Sequence, residues 1–116
     1  MNTTLYGFKA CDTVQKARKW LDAKKVEHRF FDYRIETLDP KTVDDWFKRA
    51  GWESVFNKGS ASFKELPESE RNALDAKRAR ALIAANSNFI KRPVLDTGKE
   101  LHFGFKPAVY ERVFGG

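Results

Sequence analysis

The chain has 116 residues, 41% of them hydrophobic and ten of them Phe, which excludes a disordered chain and suits one compact domain with a sizeable core. Its 22 Lys and Arg against 16 Asp and Glu leave a net charge of +6, but the two signs are interleaved as on a solvated surface, which argues against a dedicated nucleic-acid binder. The single Cys excludes an intramolecular disulfide and a Cys-rich zinc site.

Thr3 to Phe8 reads as a short buried strand, β-branched and aromatic. A turn-like stretch, KACDT, follows, and Asp12 or Thr13 can cap the helix after it. Val14, Ala17, Trp20 and Leu21 recur at helical spacing through Lys24, which places Lys24 and Lys25 in a last turn where positive charge suits the helix dipole. Glu27 to Asp32 reads as a second strand. Strand, helix, strand is a unit that makes two parallel strands with a right-handed crossover.

The pattern changes at Leu38. Asp39-Pro40 predicts a helix start, Val43, Trp46, Phe47 and Ala50 its apolar stripe, and Gly51 its stop. Val55 to Lys64 reads as a loop or short turn around Gly59-Ser60. Pro67 to Leu74 predicts a short helix, and Asp75 to Asn86 a longer one with Ala76, Ala79, Leu82 and Ile83 on one face. Strand character returns at Pro93 to Asp96. Thr97-Gly98-Lys99 reads as a hairpin turn, Glu100 to Gly104 as its partner strand, and Lys106-Pro107 as the opening of a last helix carrying Val109, Val113 and Phe114. The expected fold class is therefore α/β: a thioredoxin-like core of about residues 1–37 and 89–116 with a mixed four-stranded sheet, and a helical insertion of about 38–88.

Cys11 lies between the first strand and the first helix, where α/β proteins present side chains at the carboxyl end of a strand. Free N–H groups and the dipole at a helix start favour a thiolate, and Lys9 and Lys16 act in the same direction. The competing reading is a buried, inert Cys. Val14 stands where a dithiol motif would have its second Cys, so a disulfide formed at Cys11 needs an external thiol, for which glutathione is a natural small partner. Arg92-Pro93 opens the third strand. In a thioredoxin-like fold this loop lies beside the nucleophile, and Arg92 there would lower the thiol pKa and bind an oxyanion or carboxylate; otherwise Arg92 is a solvated loop residue. His28 and His102 have no metal-ligand neighbours at useful spacing, so no metal is expected. Trp20, Trp46, Phe47 and Phe89 are expected in the core.

The stretches LYGFKACDTVQKARKWL, NKGSASFKEL, FIKRPVLDTG and HFGFKPAVYERVF together resemble the arsenate reductase (ArsC)-like family, and within it the YffB-like branch that neighbours the Spx regulators. The resemblance runs from about Leu5 to Phe114. It implies a nucleophilic Cys at Cys11 and three oxyanion-holding arginines. Of these, Arg92 is present, the second position falls at Gly59 beside Lys58, and the third at Lys106. A Lys is a point charge and does not reproduce a guanidinium fork, which counts against efficient arsenate reduction.

The resemblance implies a glutathione-dependent thiol–disulfide reductase with Cys11 and Arg92 catalytic. Lys9, Thr13, Lys58, Pro93 and Lys106 are its expected substrate-binding positions, and glutathione is a co-substrate rather than a bound cofactor. The alternatives are an arsenate reductase and a non-catalytic, Spx-like regulator that binds RNA polymerase. The N-terminal residues lack a signal-peptide pattern, and no stretch approaches the ~18 apolar residues of a membrane span. A cytoplasmic monomer is the expectation.

Overall fold

The computed structural model describes Thr3 to Gly115. Two compact units divide the chain, one containing the segments up to Thr37 and from Arg92, the other Leu38–Lys91.

In the first unit a four-stranded mixed sheet has the order β2-β1-β3-β4, formed by β1 (Thr4–Gly7), β2 (Arg29–Asp32), β3 (Val94–Asp96) and β4 (Leu101–Phe103). β1 pairs in parallel with β2 and antiparallel with β3, and β3 pairs antiparallel with β4. This βαβ unit followed by a ββα unit is the thioredoxin-like order expected from the sequence. Helix α1 (Asp12–Ala23) connects β1 to β2. It buries Val14, Ala17 and Leu21, spaced three and four apart on one stripe. Ala17 and Leu21 join Leu5, Leu95 and Tyr110 in a core cluster, with Trp20, Val26, Phe30, Phe105 and Phe114 packed on it.

Two details of α1 differ from the expectation. Neither Asp12 nor Thr13 is its N-cap; Cys11 is, in extended conformation (φ −81°, ψ 122°). The helix also stops at Ala23. The N–H of Lys25 donates to Asp22 and that of Val26 to Leu21, while Lys25 adopts φ 56°. These are the paired bonds of a Schellman ending, completed because Val26 turns back onto the core. Lys24 and Lys25 therefore lie past the last turn, and Lys24 pairs with Glu111 at 3.6 Å.

The second unit is helical: α2 (Pro40–Ala50), α3 (Trp52–Val55), α4 (Ala61–Lys64), α5 (Glu68–Asn72) and α6 (Ala76–Ala85), then a 3-10 turn at Ser87–Phe89. Asp39 caps α2 by accepting from the Lys41 N–H, and Gly51 ends it at φ 85°. The stretch expected as a loop, Val55 to Lys64, ends in α4, and α3 lies just before it with only Val55 inside; each is a single turn and too short to show a period. Ser60 starts α4 by accepting from the Phe63 N–H. On α6 the buried residues are Ala79 and Ile83, whereas Ala76 is exposed and Leu82 half-buried. Phe56 stacks on Phe89 at 5.3 Å, and Trp46 is fully buried. In the first unit, α7 (Pro107–Phe114) buries Tyr110, while the expected Val109, Val113 and Phe114 are half-buried. Tyr110 holds the centre because its ring meets Trp20 and Phe105 edge-on, at 5.6 and 4.8 Å. Among the described residues no helix is long and apolar enough to cross a membrane.

Gly7 fixes how closely α1 lies on β1. A Cβ there would fall 2.6 Å from Val14 Cγ2. Val is stiff at χ1 and cannot swing aside cheaply. Gly7→Ala is expected to destabilise the protein by about 1–3 kcal/mol in urea unfolding. The same change in a Val14→Ala background should cost clearly less; equal costs would disprove the clash.

Candidate active site

The carboxyl ends of β1 and β2 and the amino end of β3 lie side by side, since Tyr6 is opposite both Phe31 and Val94. Three loops therefore converge: Phe8 to Cys11, Tyr33 to Glu36, and Arg92-Pro93.

A buried carboxylate ties the first two together. Asp32 Oδ2 accepts from the Lys9 N–H at 3.2 Å, and Oδ1 from the Arg34 N–H at 3.0 Å. The Tyr33 N–H donates to Gly7 O and the Cys11 N–H to Phe8 O, each at 3.1 Å. The Gln15 side chain closes the loop from the helix side, donating to Lys9 O at 2.8 Å.

The Phe8 ring is the floor of this arrangement. Arg92 and Arg34 place their guanidinium carbons 4.5 and 3.8 Å from its centroid, and the Tyr33 ring meets it edge-on at 5.2 Å. Arginine over an aromatic face is held by the ring quadrupole. The hold orients Arg92 without using its N–H groups. Nε and Nη1 of Arg92 and the Tyr33 hydroxyl are buried and have no hydrogen-bond partner among the described residues.

Cys11 is half-buried and its thiol is free. Cys11 is the N-cap residue of α1, and no side-chain oxygen caps that turn. Burial pushes the thiol pKa up. The Val14 N–H, the Arg92 side chain as donor and as charge, and the Thr13 N–H together outweigh it, and the pKa lies below its ordinary 9.0. Cys11 is thus half-buried rather than enclosed in the core, and Arg92 and the Thr13 and Val14 N–H groups lie beside it.

The structure thus brings Cys11, Arg92, buried Pro93 and the Thr13 N–H into one place; the Arg92–Pro93 peptide is cis. Lys9 enters through its backbone, with an exposed side chain. Lys106 is the exposed N-cap of α7, close in sequence to Gly104, whose N–H donates to Pro93 O at 2.9 Å. Lys58 belongs to the helical unit, where its ammonium lies 5.5 Å from the Trp52 ring centroid. Phe8, Asp32, Tyr33 and Arg34 were not singled out from the sequence. The position of Tyr33 and Arg34 just past the end of a parallel strand was the available signal.

Residues 6–113 match the model of the ArsC family. An uncharacterized protein of Haemophilus influenzae is 40% identical over 112 residues, covering 96% of this chain and 97% of its own. Among solved structures, the protein YFFB (PA3664) superposes with a TM-score of 0.89 at 40% identity, covering 96% and 97% of the two chains. An arsenate reductase (ArsC) related protein from Brucella melitensis superposes with a TM-score of 0.81 at 44% identity, covering 98% and 95%.

The rate of Cys11 alkylation by iodoacetamide should rise with pH to a midpoint below that of an ordinary thiol, and Arg92→Met should move the midpoint upward. A wild-type midpoint at or above 9.0 would sink the activation argument. The sign for stability follows. A lowered folded pKa adds stability that is complete above pH 9.0 and is lost as pH falls through the folded value. Wild type should therefore lose stability relative to Cys11→Ala over that descent in urea titrations.

Proposed function

The chain belongs to the ArsC family, and from that premise we propose that it is a glutathione-dependent thiol–disulfide reductase working through one cysteine. The observation that carries the reading is Cys11 at the N-cap of α1 with the Arg92 guanidinium beside it and Val14, not a second Cys, three residues on. The family and its arsenate-reductase-related members support thiol-based reduction. The missing second thiol supports an external one.

The chemistry balances in two exchanges. The Cys11 thiolate attacks one sulfur of a glutathione mixed disulfide, R–S–S–G. The S–S bond breaks, R–S⁻ leaves with the electron pair and takes a proton, and Cys11 is left bonded to the glutathionyl sulfur. The thiolate of a second glutathione attacks that sulfur, releasing glutathione disulfide and the Cys11 thiolate. The net reaction is R–S–S–G + GSH → R–SH + GSSG: one glutathione thiol enters, and the other half of the glutathione disulfide comes from the substrate. A Cys11 of lowered pKa is both the populated nucleophile and the good leaving group in the second step.

In this cycle Arg92 holds the thiolate charge and orients an anionic group, and the Thr13 and Val14 N–H groups face the sulfur. Lys9 and Lys106 add positive charge for a carboxylate-bearing thiol.

Arsenate reduction is the second reading, carried by the unpaired Arg92 donors. Against it, the other two arginine positions that the family resemblance implies are occupied by Gly59 beside Lys58 and by Lys106.

Cys11→Ser is expected to abolish glutathione-coupled reduction of a mixed disulfide, followed through glutathione reductase and NADPH consumption. Arg92→Met should lower kcat/KM by about tenfold to a hundredfold. Full activity in Cys11→Ser, or no wild-type turnover with glutathione, would remove this reading. Glutathione-coupled arsenate turnover at a comparable rate would replace it with the second.

A further inference from the structure

We propose that Tyr33 is a substrate-contacting residue: its hydroxyl and the Nε and Nη1 groups of Arg92 form one pocket for an anionic oxygen carried within an atom or two of the atom that Cys11 attacks. The inference rests on Cys11 as nucleophile, as in the reading above, but not on glutathione as reductant.

The argument begins with three polar atoms that have no partners. Tyr33 is 8% exposed, and its hydroxyl is buried without a hydrogen-bond partner among the described residues; the same holds for Nε and Nη1 of Arg92. An unsatisfied buried donor costs about 1–3 kcal/mol, more on a charged group, and such groups need a reason to be there. Here three occur on two side chains that share one ring, since both Tyr33 and Arg92 pack on Phe8. Arg92 also reaches Cys11. The set is therefore held in place before any ligand arrives and adjoins the sulfur.

The chemistry of the set selects its ligand. Arg has donors and no acceptor. Burial pushes the Tyr33 hydroxyl well above the usual phenol range; the Arg92 charge opposes this and the Cys11 thiolate adds to it. The hydroxyl keeps its proton at neutral pH and can donate. Arg34, exposed and stacked on the same ring, adds a second positive charge at the rim. Two guanidinium groups and a neutral phenol fit a carboxylate or another oxyanion. A neutral thiol or disulfide would leave the donors as they are.

Iodoacetate and iodoacetamide probe this directly, because they differ only in carrying a carboxylate or an amide next to the reacting carbon. With either, the S–C bond forms as the C–I bond breaks and iodide leaves with the electron pair. The ratio of the two rates at one pH cancels the acidity of Cys11, and free cysteine supplies the reference ratio.

Wild type should favour iodoacetate over the reference ratio by about tenfold or more, and saturate with it. Tyr33→Phe keeps the ring on Phe8. It should lower the iodoacetate rate by about tenfold and leave the iodoacetamide rate within about twofold, with a melting temperature no lower than that of wild type. A wild-type ratio equal to that of free cysteine would overturn the anion pocket whatever the variant does. An unchanged ratio in Tyr33→Phe, or equal slowing with both reagents, would overturn the role of Tyr33. Were that variant unfolded, Tyr33→Trp and competition by inorganic sulfate against iodoacetate in wild type would decide. No competition by sulfate overturns the pocket. Because neither reagent involves glutathione, a failure here is distinct from a failure of the reductase reading.

Discussion

The site depends on the Asp32 carboxylate. It sits at the end of β2 and accepts one backbone N–H from each neighbouring loop, that of Lys9 and that of Arg34. A buried carboxylate needs such partners, and the loops need an acceptor for N–H groups that no strand or helix can take. One residue thus satisfies both requirements and sets the spacing between Cys11 on one side and Tyr33 on the other. Phe8, held between them, then carries Arg92 on its ring. The lowered pKa of the thiol follows from this placement, since Arg92 acts at short range and burial alone would push it the other way.

Much of this was legible in the sequence because it is local. The apolar spacing of Val14, Ala17 and Leu21, the Asp39-Pro40 start and the Thr97-Gly98-Lys99 turn each depend on neighbours a few residues away. The mixed four-stranded sheet followed from the order of elements. What was not legible depends on contacts or on elements too short for a period. The end of α1 is decided by Val26 returning to the core. The single turns α3 and α4 are too brief to recur. The cap of α1 was assigned to the residue types that usually fill it, and the structure gives the position to Cys11.

The candidate site divides in the same way. Cys11 and Arg92 stood out by chemistry and by position relative to strands. Phe8 read as an ordinary strand aromatic and Tyr33 fell just past the second strand, because nothing in a sequence distinguishes a ring that fills a core from one that holds a guanidinium. Lys9 was chosen for its charge and contributes its N–H. The second guanidinium at Phe8 comes from Arg34, in a turn that the sequence pattern left unremarked.

The pairing of β1 with β3 joins Thr4 to Asp96, across the whole helical unit. This has a consequence for how the chain is made. The helical unit is a continuous stretch, Leu38–Lys91, built of short helices that each form from neighbouring residues. The sheet, by contrast, cannot close until β3 exists, and loop closure over that distance is slow compared with local helix formation. On the ribosome, Cys11 emerges early and Arg92 late. The growing chain therefore carries a thiol without Arg92 beside it through most of its synthesis, and the lowered pKa of Cys11 is a property that only the assembled sheet confers.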